Sequence, residues 1–180
     1  MDIPTSHRDF ERLALPHLDA AYNLARWLTR NDHDAQDVVQ DAYLRAYKYF
    51  DGFRGENFRA WLLSVVRRAA YDWMKRNRPT EVVPASEFDV ESVASDGDAD
   101  SPDAALLRKA DRKMVNEMIA ALPAAFREVV VLRELHELSY KEIAEIAEVP
   151  VGTVMSRLAR ARALLAADAR RRLGEGGHGR

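Results

Sequence analysis

From Glu81 to Leu107 the chain carries eight acidic residues and neither lysine nor arginine. That stretch constrains what the rest can fold into. Between Glu81 and Pro102 it consists largely of Asp, Glu, Ser, Ala, Gly and Pro, with few large apolar side chains. Such a segment cannot bury enough surface to offset its ordering entropy, so it is expected to be a flexible connector. The 180 residues are thereby split into two parts, each long enough for one small domain.

Both parts read as helical. Ala, Leu, Arg and Glu dominate, and no sustained apolar–polar alternation suggests strands. Apolar residues at helical spacing predict a first helix over His7 to Thr29, a second from about Ala35 to Phe50, and a third from Asn57 or Phe58 to about Arg76. Asn31 to Asp34 supplies capping chemistry, and Asp51-Gly52 breaks the second helix. Beyond the connector, helices are expected over Asp103 to Ala121 and Ala124 to Leu135. Ser139-Tyr140-Lys141-Glu142 is a capping box that opens a short helix to Ala147. A last helix follows Pro150, from Val151 to about Leu173. The fold class is therefore all-α.

The charge distribution points to a polyanion. With 27 basic and 29 acidic residues the net charge is −2, which by itself argues against a nucleic-acid partner. Yet Gly52 to Thr80 holds seven basic residues against two acidic, and Pro150 to Arg180 has the same balance. Two basic segments flank one acidic connector. The second contains a capped helix, a tight turn and a Ser- and Arg-rich helix, the helix-turn-helix layout. Ile143, Ala144, Ala147, Val154, Leu158 and Ala161 are spaced to share a small core. Thr153, Ser156, Arg157 and Arg160 are expected on the opposite face, where a major-groove helix carries its base contacts. Arg162 is expected to neutralise backbone charge.

Several classes are excluded. No apolar run approaches the roughly 20 residues of a membrane span. Met1 to Arg12 is mixed and charged, unlike a signal peptide. Without cysteine there is no disulfide, thiol nucleophile or cysteine-ligated zinc. The histidines have no metal-ligand spacing, and no phosphate-binding Gly loop or nucleophile motif occurs. The expectation is a cytoplasmic protein that is not an enzyme and needs no cofactor or metal.

Leu138-Ser139-Tyr140-Lys141-Glu142-Ile143-Ala144 followed by Val149 to Arg162 resembles region 4 of the extracytoplasmic-function (ECF) sigma factors of the bacterial sigma-70 family. Leu122-Pro123, Arg127 and Leu132 fall where that family also carries them. Asp37-Val38-Val39-Gln40-Asp41-Ala42 is similar to the region 2 helix that docks on the RNA polymerase clamp, and Phe53 to Leu62 is similar to the loop and helix that read and melt the −10 element. The resemblance spans Phe10 to Leu173. It implies region 2 over 6–80, an acidic flexible linker over 81–104, region 4 over 105–173 and a disordered tail at 174–180.

It further implies −35 contacts from Thr153, Ser156, Arg157, Arg160 and Arg162. The −10 contacts would come from Phe53, Arg54, Asn57, Phe58, Arg59, Arg67 and Arg68, and clamp docking from Asp37, Gln40, Asp41 and Arg45. Aromatic and Arg surfaces suit that task, because melted bases need their lost stacking replaced. The expected partners are core RNA polymerase (clamp and flap), promoter DNA and an anti-sigma factor, with no membrane insertion and a monomeric free chain. The family often carries Asn where this chain has Arg67-Arg68, and Arg where it has Met155, so its base preferences do not transfer. Two other readings remain open at this point. One is a sigma mimic that sequesters an anti-sigma factor, and the other is a stand-alone helix-turn-helix regulator.

Overall fold

The computed structural model describes residues 7–82 and 102–175. Most of the expected linker at 81–104, and the tail from residue 176, lie outside the described residues. The described residues contain helices and turns but no strand.

Where the first helix is expected, the structure has two: α1 (His7–Ala14) and α2 (Leu18–Thr29), joined by a 3-10 turn at Leu15–His17. Pro16 has no N–H to donate, and a continuous α-helix fails there. Asn31 starts α3 (Asp32–Tyr49) by accepting from the Asp34 N–H at 3.0 Å. Asn57 starts α4 (Phe58–Asn77) in the same way, accepting from the Ala60 N–H at 3.0 Å. These caps satisfy donors that a helix start otherwise leaves unpaired.

Beyond the connector, the single helix expected over Asp103 to Ala121 is also divided, into α5 (Pro102–Lys109) and α6 (Arg112–Ala121). Asp111 turns its carboxylate onto the Met114 N–H at 2.7 Å and begins a new helix. After Pro123, α7 (Ala124–Val130) widens into a π-helical turn, Val131–Leu135, closed by the His136 N–H on the Val131 carbonyl at 3.2 Å. Then α8 (Tyr140–Ala147), capped by Ser139, leads through a tight turn into α9 (Val151–Glu175).

In the N-terminal unit, α2, α3 and α4 pack around Leu24, Leu28, Val38, Leu63, Val66 and Met74. Alanines at 21, 25, 35, 42, 69 and 70 are buried between them. Side chains this small let helix axes approach closely. A separate cluster at one end joins Phe10, Ala14, Ala46, Phe50, Phe58 and Leu62. Its rings meet edge to face, Phe10 with Phe50 at 5.3 Å and Phe53 with Phe58 at 5.5 Å, the geometry that ring quadrupoles favour. In the C-terminal unit Ile143, Ala144, Ala147, Val154, Leu158 and Ala161 are buried as their spacing predicts.

The two units also pack on each other. One apolar cluster runs through both, with α7 against α2 and α8 against α4. The sequence implies a flexible connector and leaves open whether the two units pack together. The described structure is a closed pair.

Phe58 was expected to face DNA. It is 7% exposed and surrounded by Phe10, Phe50, Phe53 and Trp61, so it supports the preceding loop from beneath. Phe58→Ala is expected to cost about 3–5 kcal/mol of stability, the usual range for emptying a packed aromatic site. Urea unfolding followed by circular dichroism checks it.

Candidate nucleic-acid interface

The N-terminal basic surface is built on α4 and the loop before it. Phe53 lays its ring against Trp61, with centroids 5.2 Å apart. A Cβ on Gly55 would come within 3.1 Å of that ring, so glycine keeps the loop close to its aromatic support. Arg54 is exposed and tied back to the loop carbonyls of Asp51 and Phe53. Asn57 is exposed at the helix start. Arg59, Arg67 and Arg68 continue the basic surface along α4. A cleft of about 710 Å³ separates this loop from the start of α8, with Arg54, Trp61 and Ser64 on one side and Lys141, Glu142 and Glu145 on the other.

Three of these arginines are engaged by the C-terminal unit. Arg67 pairs with Glu128 of α7 through Nε and Nη2, and Tyr71 donates its hydroxyl to the same carboxylate at 2.9 Å. Arg68 pairs with Glu148 after α8, and Arg59 donates to the His136 carbonyl at 2.9 Å. Glu128 is fully buried, at 0% exposure. Burial opposes the charge of Arg67, but Glu128 more than offsets it and raises the guanidinium pKa. Burial, reinforced by the charge of Glu128, raises that of the Tyr71 hydroxyl. Arg127 adds a fourth link. It donates to the Leu122 carbonyl at 2.8 Å and, across the interface, to that of Leu28 at the end of α2 at 3.2 Å. Burial, then the nearby Arg30, lowers its pKa to about 10.

The C-terminal basic surface differs from its sequence expectation. Arg157, expected on the outward face of α9, is 3% exposed. A helix advances about 100° per residue, which places position 157 about 40° beyond Ala161 and about 60° from Val154, at the edge of the apolar stripe. Arg160 is half-buried with its guanidinium 5.7 Å from the Phe126 ring centre, and Arg162 pairs with Glu134 at 3.2 Å. Thr153 and Ser156 are partly exposed, and the Ser156 hydroxyl donates to the Thr153 carbonyl at 3.2 Å. Met155 and Ala159 are also partly exposed on α9.

On α3, Asp37 and Gln40 point outward. Arg45 instead spans Asp41 of its own helix at 2.8 Å and Asp72 of α4 at 2.7 Å, and so clamps α3 to α4. Leu44 was not singled out in the sequence. It is 65% exposed, one or two turns from Asp37 and Gln40 on the same outward stripe. An exposed leucine amid charged residues was the available signal.

Two helical regions, each with its own basic helix and arranged in this order, define a class. The family profile for sigma-70 region 2 matches residues 13–80, and that for sigma-70 region 4 matches residues 112–165. The ECF RNA polymerase sigma-E factor of Haemophilus influenzae is 36% identical over 147 residues, covering 79% of this chain and 77% of that protein. The RNA polymerase sigma-H factor of Pseudomonas aeruginosa is 34% identical over 161 residues, covering 86% and 83%. Among solved structures, the sigma factor RpoE of Bartonella quintana, in complex with the anti-sigma factor NepR, has a TM-score of 0.66 at 30% identity, covering 89% of this chain and 96% of that one. CnrH in complex with the cytosolic domain of CnrY has a TM-score of 0.57 at 28% identity, covering 91% and 88%. This chain belongs to the ECF sigma factors of the sigma-70 family.

His136 gives the interface a pH dependence. Burial, then the neighbouring Arg59, lowers its pKa to about 4, from an ordinary 6.5. A depressed folded-state pKa leaves stability intact above the unfolded value and removes it as pH falls toward the folded one. Between pH 6.5 and 4, wild type should lose up to about 3 kcal/mol more unfolding free energy than His136→Leu. Urea titrations of both chains across that window check the difference.

Proposed function

We propose that this chain is the promoter-recognition subunit of a bacterial RNA polymerase and carries no catalysis of its own. It acts in the cytoplasm, where core polymerase and DNA are found. What carries this reading is that both family regions occur in order in one chain, each with its own basic helix. In the proposed division of labour, α3 docks on the polymerase clamp through Asp37, Gln40, Asp41 and the exposed Leu44. Arg54, Asn57, Arg59, Arg67 and Arg68 track the melted −10 strand while Phe53 offers a ring for stacking. Thr153, Ser156, Arg160 and Arg162 read or brace the −35 duplex, and the C-terminal unit meets the flap.

Control by an anti-sigma factor follows from the same membership and is part of the proposal, supported by a solved relative that is itself bound to such a factor. No helix among the described residues is long and apolar enough to cross a membrane. We propose a monomeric free chain and the division into region 2 (6–80), linker (81–104), region 4 (105–173) and tail (174–180).

Run-off transcription with purified core polymerase on genomic fragments tests the reading. Transcripts should start only when the chain is added and vanish when Leu138 to Arg162 is deleted. Stable binding to core without transcripts would make it a polymerase-binding regulator. Binding to an anti-sigma factor but to neither core nor promoter would make it a mimic.

Substitution separates base contact from charge. Arg160→Ala should cost about 1–3 kcal/mol of promoter binding at one −35 position if its contact is bidentate to a base. A loss uniform over all −35 variants would assign it to phosphate. Binding of the holoenzyme to a set of single-base −35 variants distinguishes the two.

A further inference from the structure

In the proposed function α9 enters the major groove by its first turns. Positions 155, 156, 159 and 160 adjoin there, because residues one, four and five apart share one patch of a helix surface. They are Met155, Ser156, Ala159 and Arg160, all partly exposed. We propose that Met155 is a specificity-determining residue that reads the C5-methyl group of a thymine in the −35 element. This rests on the functional reading above and names the base chemistry that reading leaves open.

Three observations carry the inference. First, the arginines around this patch are engaged elsewhere. Arg157 is 3% exposed, and Arg162 pairs with Glu134 at 3.2 Å. Arg160 stands 5.7 Å from the ring centre of Phe126 on α7, with its Nη1 buried. Guanine is read by two guanidinium donors presented together to O6 and N7. A guanidinium with one terminal nitrogen turned inward suits a phosphate instead.

Second, the polar group at the centre of the patch is committed. The Ser156 hydroxyl donates to the Thr153 carbonyl at 3.2 Å, so its proton serves the helix. Ala159 offers only a methyl, and Gly152, one turn before Met155, has open space where a Cβ would stand. Neither holds the helix away from base edges.

Third, Met155 lies about 60° round the helix from Leu158, yet it stays out of the core. Among the described residues, the half-buried apolar side chains packed against that core include Met114, Tyr140 and Val149 but not Met155. An unbranched thioether chain with three rotatable bonds adapts its end to the shape it meets. In the major groove the apolar feature is the thymine methyl, which the other three bases lack. Met155 therefore discriminates by methyl contact, while Arg160 and Arg162 brace the phosphates.

The test uses holoenzyme assembled from core polymerase and the full chain, on a promoter found by run-off transcription. Each −35 thymine, on either strand, is replaced in turn by deoxyuridine, which removes the methyl and keeps the hydrogen-bonding groups. Affinity is read by fluorescence anisotropy of labelled promoter DNA at one fixed salt concentration. The chains compared are wild type, Met155→Ala, Met155→Leu and Met155→Arg, each confirmed as folded by circular dichroism.

Wild type should bind roughly three- to five-fold more weakly when one particular thymine loses its methyl. Met155→Ala should abolish that difference and leave the responses at other thymines unchanged, whereas Met155→Leu should retain it. Met155→Arg should exchange the preferred base at that position for guanine. A wild type indifferent to every methyl would overturn the proposal. So would a methyl response that persists undiminished in Met155→Ala, since another side chain would then make the contact. In both cases transcripts from the wild-type holoenzyme leave the proposed function standing. Absence of transcripts from every fragment is the failure of the functional reading, and the assignment of Met155 falls with it.

Discussion

The carboxylate of Glu128 sits fully buried between Arg67 and Tyr71, and the relation between the two halves of the molecule depends on it. An ion taken out of water is tolerated only with its partners in place, and removing one partner of such a pair costs several kcal/mol. Apolar contact between α7 and α2 and between α8 and α4 supplies area but has little directional preference. The buried pair supplies registry, because it can form only when α7 lies over one turn of α4. Arg127 acts in the same sense by joining the end of α2 to the end of α6 through three carbonyls. Cations at helix C-termini are favourable on electrostatic grounds as well.

Much of the fold was legible because local chemistry and apolar spacing agreed. Asn31, Asn57 and Ser139 cap helices as their side chains suggest, and Ile143, Val154, Leu158 and Ala161 form the helix-turn-helix core that their periodicity implies. Misreadings occurred where a single residue overruled a continuous pattern. Pro16 and Asp111 each divide a helix whose apolar stripe runs on past the break. The π-helical turn after Val130 left no recognisable mark, since its residues are ordinary helix formers.

The candidate site was less legible, and for one physical reason. Residue type and spacing report what a side chain can do, whereas its occupation depends on a second surface contributed from far along the chain. Arg59, Arg67 and Arg68 were readable as a basic face of α4. That Glu128, Glu148 and the His136 carbonyl would meet them was not, because a lone glutamate in an apolar helix gives no hint of its partner. Phe58 and Arg157 illustrate the complementary error. Each is the right residue type for nucleic acid, and each lies at the margin of an apolar stripe where burial decides its use.

Among the described residues, three positions adopt left-handed backbone without being glycine: Arg30, Glu137 and Glu148. Glycine would relieve strain of roughly 1–2 kcal/mol at each. Two of the three reach across to the other unit, Arg30 to the Ala120 carbonyl and Glu148 to Arg68. At those two turns the easiest residue for the backbone is one that could not grip the neighbouring unit. Local robustness and global looseness are therefore tuned in opposite directions by the same codon. A lineage that drifted toward glycine at 30 and 148 would acquire sturdier turns and a more readily opened molecule, with no change in either basic helix.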